Sequence, residues 1–219
     1  MRSPRGQAGP RWTLAGVEPD TPQPMPADEA RQVVLAAAAS GDPAAMFNAG
    51  LLAREAGDAA EAARWWRRAA EAGQRDAMVE VGLQHQRDGD HEAARQLFAA
   101  SAEAGDVAGM NNLGMLLRQE GDDAGARVWL ERAARSGSAE AMNNLAFLLR
   151  DAGEADAGIA WLRRAAGHGS SDAMFNLGVI HWANGDEDLA RQWWGAAAAD
   201  GHLLAIQNLG RLLRGADDA

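Results

Sequence analysis

The sequence predicts an all-α fold, a right-handed α-α solenoid of 32-residue helix–turn–helix repeats. Three observations predict it. Methionine recurs every 32 residues at Met46, Met78, Met110, Met142 and Met174, and Ile206 continues the series. Glycine recurs on the same period in two phases, one through Gly57, Gly89, Gly121, Gly153 and Gly185, the other from Gly41 to Gly201. Between these glycines the apolar residues keep helical spacing. A fixed period without insertions marks stacked repeats, because a single helix pair cannot bury its own apolar face.

Residues 1–26 hold Pro4, Pro10, Pro19, Pro22, Pro24 and Pro26 and show no apolar period. They are expected to form a disordered leader, with Trp12 and Leu14 as its candidate docking residues. Residues 27–41 align with the second helix of a repeat, with Ala30, Val33, Val34, Ala37 and Ala38 in its core columns. They predict a half-repeat cap helix. Residues 42–201 hold five tandem repeats. In the first helix of a repeat, such as 43–55, Met46, Ala49, Gly50 and Ala53 share one face. Gly57 ends that helix, since glycine accepts the left-handed C-terminal cap. Asp58, Asp90, Asp122, Glu154 and Asp186 follow, each placed to cap the next helix, with Glu154 the poorer cap. The second helix, such as 59–72, is expected to bury Ala62, Trp65, Trp66, Ala69 and Ala70 before stopping at Gly73. Such short turns make consecutive helices antiparallel. Residues 202–219 predict a C-terminal half-repeat cap helix and a short acidic tail. Terminal helices of a solenoid tolerate more polar outer faces.

The chain has 219 residues and a formal net charge of −10, without a single lysine. That balance argues against nucleic acid and anionic membrane as partners, which need a positive field. There is no cysteine, so thiolate metal sites, disulfides and cysteine nucleophiles are excluded. No apolar run reaches the ~18 residues of a membrane span. The apolar patch Trp12–Val17 is too short for a signal-peptide core, and a cytoplasmic location is expected. His85 and His181 stand three repeats apart, too far to share a metal. No phosphate loop or nucleophile elbow appears. The expectation is a non-enzyme with no cofactor and no metal.

The junction Ala69-Ala70-x-x-Gly73-x-x-x-Ala77, followed by Val81-Gly82, resembles that of Sel-one-like repeats, a branch of the tetratricopeptide superfamily. So does Ala-x-x-Trp-x-x-x-Ala-Ala at Ala62 to Ala70 and Ala126 to Ala134. The turn inside each pair is shorter than is usual in that branch and matches ordinary tetratricopeptide repeats, as does the Gly50-to-Ala62 interval. The resemblance covers residues 28–214. It implies an interaction scaffold whose first helices line a concave surface.

On that surface the helical wheel places several columns. Asn48, Asn112, Asn144, Asn176 and Asn208 form one, broken only by Glu80. An amide donates and accepts at once, as a peptide bond does. The column resembles the asparagine ladder of some peptide-binding tetratricopeptide superhelices; alternatively, each Asn ties neighbouring helices together. Beside it run Leu51, Leu83, Met115, Phe147 and Val179. Phe175, Val179 and Trp182 form an apolar stripe at i, i+4, i+7, a pattern suited to a partner anchor. Arg54, Arg118, Arg150 and Arg214 flank the arc and can meet acidic groups on a partner or pair within the chain. The Trp65, Trp129, Trp161 and Trp193 column reads as packing. The function expected is that of an adaptor, a monomer or a dimer, holding another protein's peptide segment in its groove. The alternative is a regulatory sensor with a small peptide or effector in the same groove.

Overall fold

The computed structural model describes residues 26–217. The expected leader lies almost wholly outside them, and with it the docking of Trp12 and Leu14; so does the end of the acidic tail. Twelve helices run from α1 (Ala27–Ala39) through α2 (Pro43–Glu55), α3 (Ala59–Glu71), α4 (Arg75–Arg87), α5 (His91–Glu103) and α6 (Val107–Gln119). They continue with α7 (Asp123–Arg135), α8 (Ala139–Asp151), α9 (Ala155–Gly167), α10 (Ser171–Ala183), α11 (Glu187–Ala199) and α12 (Leu203–Asp217). No strand occurs among the described residues.

Each helix boundary has a local cause. At the end of α2, Gly57 sits at φ +80°, and the next N–H, that of Asp58, reaches back to the Ala53 carbonyl at 2.9 Å. This bond uses a carbonyl that the helix leaves unpaired. Asp58 then accepts from the Glu61 N–H at 2.8 Å and starts α3. Asp42 caps α2 in the same way, with Pro43 at the first helical position. Asp90 and Asp122 cap α5 and α7 as the sequence suggests. Glu154 makes no cap bond, and its carboxylate takes two hydrogen bonds from Arg127 at 2.6 and 3.1 Å. Asp186 departs from expectation: it makes no cap bond either, and lies 3.4 Å from His181 Nδ1.

Consecutive helices pack as antiparallel pairs. First helices also touch across repeats, α4 on α6, α6 on α8 and α8 on α10. The first helices therefore line the inner side of the array. Within a pair, a large side chain of the second helix lies over a small residue of the first. A Cβ added to Gly82 would stand 2.6 Å from Phe98 Cε1, and one added to Gly114 would stand 2.7 Å from Leu130 Cγ. Trp66 and Trp194 fill the same place over Gly50 and Gly178, and their indole N–H groups donate to the Phe47 and Phe175 carbonyls at 3.3 and 3.2 Å. A buried indole needs such an acceptor. The fourth pair reverses the pattern. Ala146 stands in the glycine column, and Gly158 replaces the second-helix alanine; a Cβ there would meet the Ala146 carbonyl oxygen at 2.7 Å.

One burial expectation is corrected. Trp65 and Ala70 are only half-buried, unlike Ala62, Trp66 and Ala69. The Trp65 column lies at the flank of the second helices, where an Arg one turn on covers three of its four tryptophan rings. The guanidinium carbons of Arg68, Arg132 and Arg164 lie 4.7, 4.4 and 5.1 Å from the rings of Trp65, Trp129 and Trp161. The last helix exposes a mixed face, with Gln207, Arg211 and Arg214 beside apolar residues. On α12, Leu203, Leu204, Ile206 and Leu213 are all exposed, although Met46 and Met142 are buried in the Ile206 column.

Candidate interaction surface

The Asn column follows from one residue type at one helical position, yet its members end in different environments. Asn144 Nδ2 donates to Asn111 Oδ1 at 2.9 Å, and Asn176 Nδ2 donates to Asn143 Oδ1 at 2.9 Å. Each bond joins one repeat to the one before it. Asn111 is buried and donates in turn to Glu140 at 3.0 Å. The rung requires an acceptor 33 residues earlier in the chain. For Asn112 that position is Val79, which has none, and Asn112 folds back onto the Ala108 carbonyl at 3.0 Å. For Asn208 it is Phe175. Asn48 is exposed. Asn144 and Asn176 therefore tie helices together with one N–H each, and an amide has a second N–H and a carbonyl oxygen besides.

The neighbouring apolar column has a gradient. Leu51, Met115 and Phe147 are half-buried, and Val179 is exposed. Trp182 is 47% exposed and leans on Trp194 with ring centroids 5.9 Å apart. Phe175 does not join this open end. It is half-buried and stacks on His202, at the start of α12, with centroids 4.6 Å apart. The stripe read from the sequence is thus divided: Val179 and Trp182 are open, and Phe175 belongs to the contact with the last helix.

Arg54, Arg118 and Arg150 are engaged within the chain. Arg118 bonds Asp151 across a repeat boundary, and Arg150 bonds the same carboxylate at 3.0 Å. The hydrogen bond from Arg150, reinforced by the charges of Arg150 and Arg118, holds the Asp151 carboxyl below the ordinary carboxylate range. Arg150 also lies 4.9 Å above the Phe147 ring. Arg54 pairs with Glu80 at 3.3 Å.

A cleft of about 170 Å³ opens beside Phe147 and Arg150. Ala146, Ala155, Gly158, Ile159, Leu162, Ile180 and Asn184 complete its lining, from α8, α9 and α10. It went unread in the sequence, although its signal is there: only in the fourth pair do the two helices exchange alanine and glycine, at Ala146 and Gly158. No group of three His, Asp or Glu side chains able to hold a metal ion occurs among the described residues. No helix there is long and apolar enough to cross a membrane.

Comparison with known proteins agrees with this architecture. A family model for the tetratricopeptide repeat matches residues 108–136 and 138–166. No curated protein matches the sequence. Among solved structures, a Sel1 repeat protein from Oxalobacter formigenes is 27% identical with a TM-score of 0.67, over 78% of this chain and 79% of that one. A protective antigen of uropathogenic Escherichia coli strains, which displays an SLR fold, is 25% identical with a TM-score of 0.74. That match covers 85% of this chain but 44% of the antigen, so this chain spans less than half of the antigen's length. A Sel1 repeat protein from Klebsiella pneumoniae subsp. pneumoniae is 22% identical with a TM-score of 0.59, over 83% of this chain and 98% of that one. The chain is a right-handed, tetratricopeptide-like helical repeat protein, and its likeness lies with the Sel1-like branch of that superfamily.

Proposed function

We propose that this protein is a non-catalytic adaptor that holds an extended segment of another protein against its first-helix face. Helical repeats of this type generally mediate protein–protein interaction. The observation that carries the finer reading is the open apolar end of that face. Val179 is 39% and Trp182 47% exposed, side by side on α10. Exposed aromatic side chains of this kind serve as anchors at interfaces. Beside them, Asn144 and Asn176 each keep an N–H and an Oδ1 for a partner backbone, and Asn48 and Asn112 lie further along the same face. The sensor reading has less support, because the cleft of about 170 Å³ is well below the roughly 300–1,000 Å³ of small-molecule sites.

The test pairs thermal melts with affinity capture from lysate for wild type, Trp182→Ala and Trp161→Ala. A stoichiometric partner should copurify with wild type and be lost with Trp182→Ala at a nearly native melting temperature. Any loss with Trp161→Ala should track unfolding. Undiminished capture by a folded Trp182→Ala variant would refute the reading.

A further inference from the structure

We infer that the cleft between α8, α9 and α10 is a socket for one phenyl-sized aromatic side chain of the bound segment; this rests on the reading that the partner is a peptide. The fourth pair combines Gly158 with Ala155, Ile159 and Leu162, a combination that no other pair carries. Gly158 stands where Ala62, Ala94, Ala126 and Ala190 stand in other pairs. Ile159 takes the place of Arg95, Arg127 and Arg191, with Ala63 in the first pair, and Leu162, like Leu130, stands in the place of Trp66, Phe98 and Trp194. Ala155, like Ala59, stands at the rim where His91, Asp123 and Glu187 stand in the other pairs.

Size selects the occupant. A volume of about 170 Å³ is close to the roughly 150 Å³ of an apolar cavity known to take up benzene in another protein. It is too small for a drug-sized ligand. The chemistry of the wall agrees. Ile159, Leu162 and Ile180 supply aliphatic surface, and Asn184 is the one uncharged polar side chain in the lining. Phe147 supplies a ring against which a second ring can pack edge to face, and Arg150 supplies a cation already placed over that ring. Phe147, which lines the socket, also belongs to the apolar column of the first-helix face, so the socket adjoins that face and its occupant is taken as a side chain of a segment lying there.

The probe is N-acetyl-phenylalaninamide, with N-acetyl-alaninamide as the control, titrated into the full chain while methyl NMR signals are followed. The phenyl probe should give saturable shifts at Ile159, Leu162 and Ile180, and the alanine probe should not. Two variants fill the cleft, Ile159→Trp from within and Ala155→Leu from the rim, the latter at an exposed position that tolerates a larger side chain. Each should weaken the phenyl probe by about tenfold or more at a native melting temperature. Trp182→Ala should leave the probe's binding unchanged, which separates the socket from the open groove end. Equal shifts with both probes would overturn the socket and leave the groove reading standing. So would unchanged phenyl binding in a folded Ala155→Leu variant. If the filled variants lose the probe but still capture the partner that Trp182→Ala loses, the socket is not the partner's and the inference fails.

Discussion

Asn144 donates from Nδ2 to Oδ1 of Asn111 at 2.9 Å, so two members of adjacent columns are bonded across the junction between consecutive repeats. Asn111, at 4% exposure, passes the chain of bonds on to Glu140. Removing it strands one half-buried amide and one carboxylate contact. We expect Asn111→Ala to destabilise the fold by about 1–3 kcal/mol, because unpaired polar groups there lose their solvation without compensation. Asn48→Ala, on an exposed position, should be nearly neutral. Denaturant melts of the two variants decide it; equal losses would mean that the rungs do not hold the stack.

Glycines inside helices should divide by what faces them. Gly82→Ala forces a Cβ to within 2.6 Å of the fully buried Phe98 ring, and overpacking of this kind costs about 1–3 kcal/mol. Gly195 lies in the middle of α11 with nothing within 4 Å of an added Cβ. Gly195→Ala should stabilise by about 0.5–1 kcal/mol, since alanine restricts the unfolded chain and favours helix. Opposite signs in the two melts are the expected outcome.

The two tryptophan positions should also part in stability alone. Trp182→Ala removes an exposed ring and one aromatic pair with Trp194, a loss of about 0.5–1.5 kcal/mol. Trp161→Ala removes a half-buried ring packed against the core and its contact with Arg164, and about 3 kcal/mol should go with it. A larger loss at Trp182 than at Trp161 would reverse the assignment of the two columns.

Acid titration should find Glu154 among the depressed carboxyls. Its pair of hydrogen bonds from Arg127 lowers its pKa from the ordinary value of 4.5. A carboxyl depressed in the folded state contributes stability above its unfolded pKa, and that contribution disappears as pH falls through the folded pKa. Both groups are solvent-exposed, so salt should weaken the effect. In Arg127→Gln, the Glu154 titration followed by carboxyl NMR should move upward toward 4.5. An unmoved midpoint would show that the pair does not persist in solution.

The periodic features of the fold are legible in the sequence, and the pairwise ones are not. Met46 and its 32-residue repeats mark the core face, and Gly57 and Asp58 mark where one helix ends and the next begins, because each acts through its own backbone position. The side-chain partners depend on a second column that a single-column reading does not consult. Asn176 bonds Asn143, whereas Asn208 faces the Phe175 position and has no such rung. Asp186 resembles Asp90 in sequence and lies as near a histidine, His181 at 3.4 Å against His85 at 3.3 Å, yet Asp90 caps its helix and Asp186 does not. Phe175 has stripe spacing with Val179 and Trp182, but His202, 27 residues later and just before α12, covers its ring.

The glycine turns have a consequence for the gene. Gly73 and Gly105 bound one whole period and adopt nearly the same conformation, at φ +85° and +87°. Each helix packs mainly on its neighbours along the chain. Loss of codons 74–105 by recombination would join Gly73 to Asp106, which already caps a first helix. A lineage carrying this array can therefore change the reach of its inner face by whole-unit duplication or deletion, with selection acting on copy number before it acts on any single side chain.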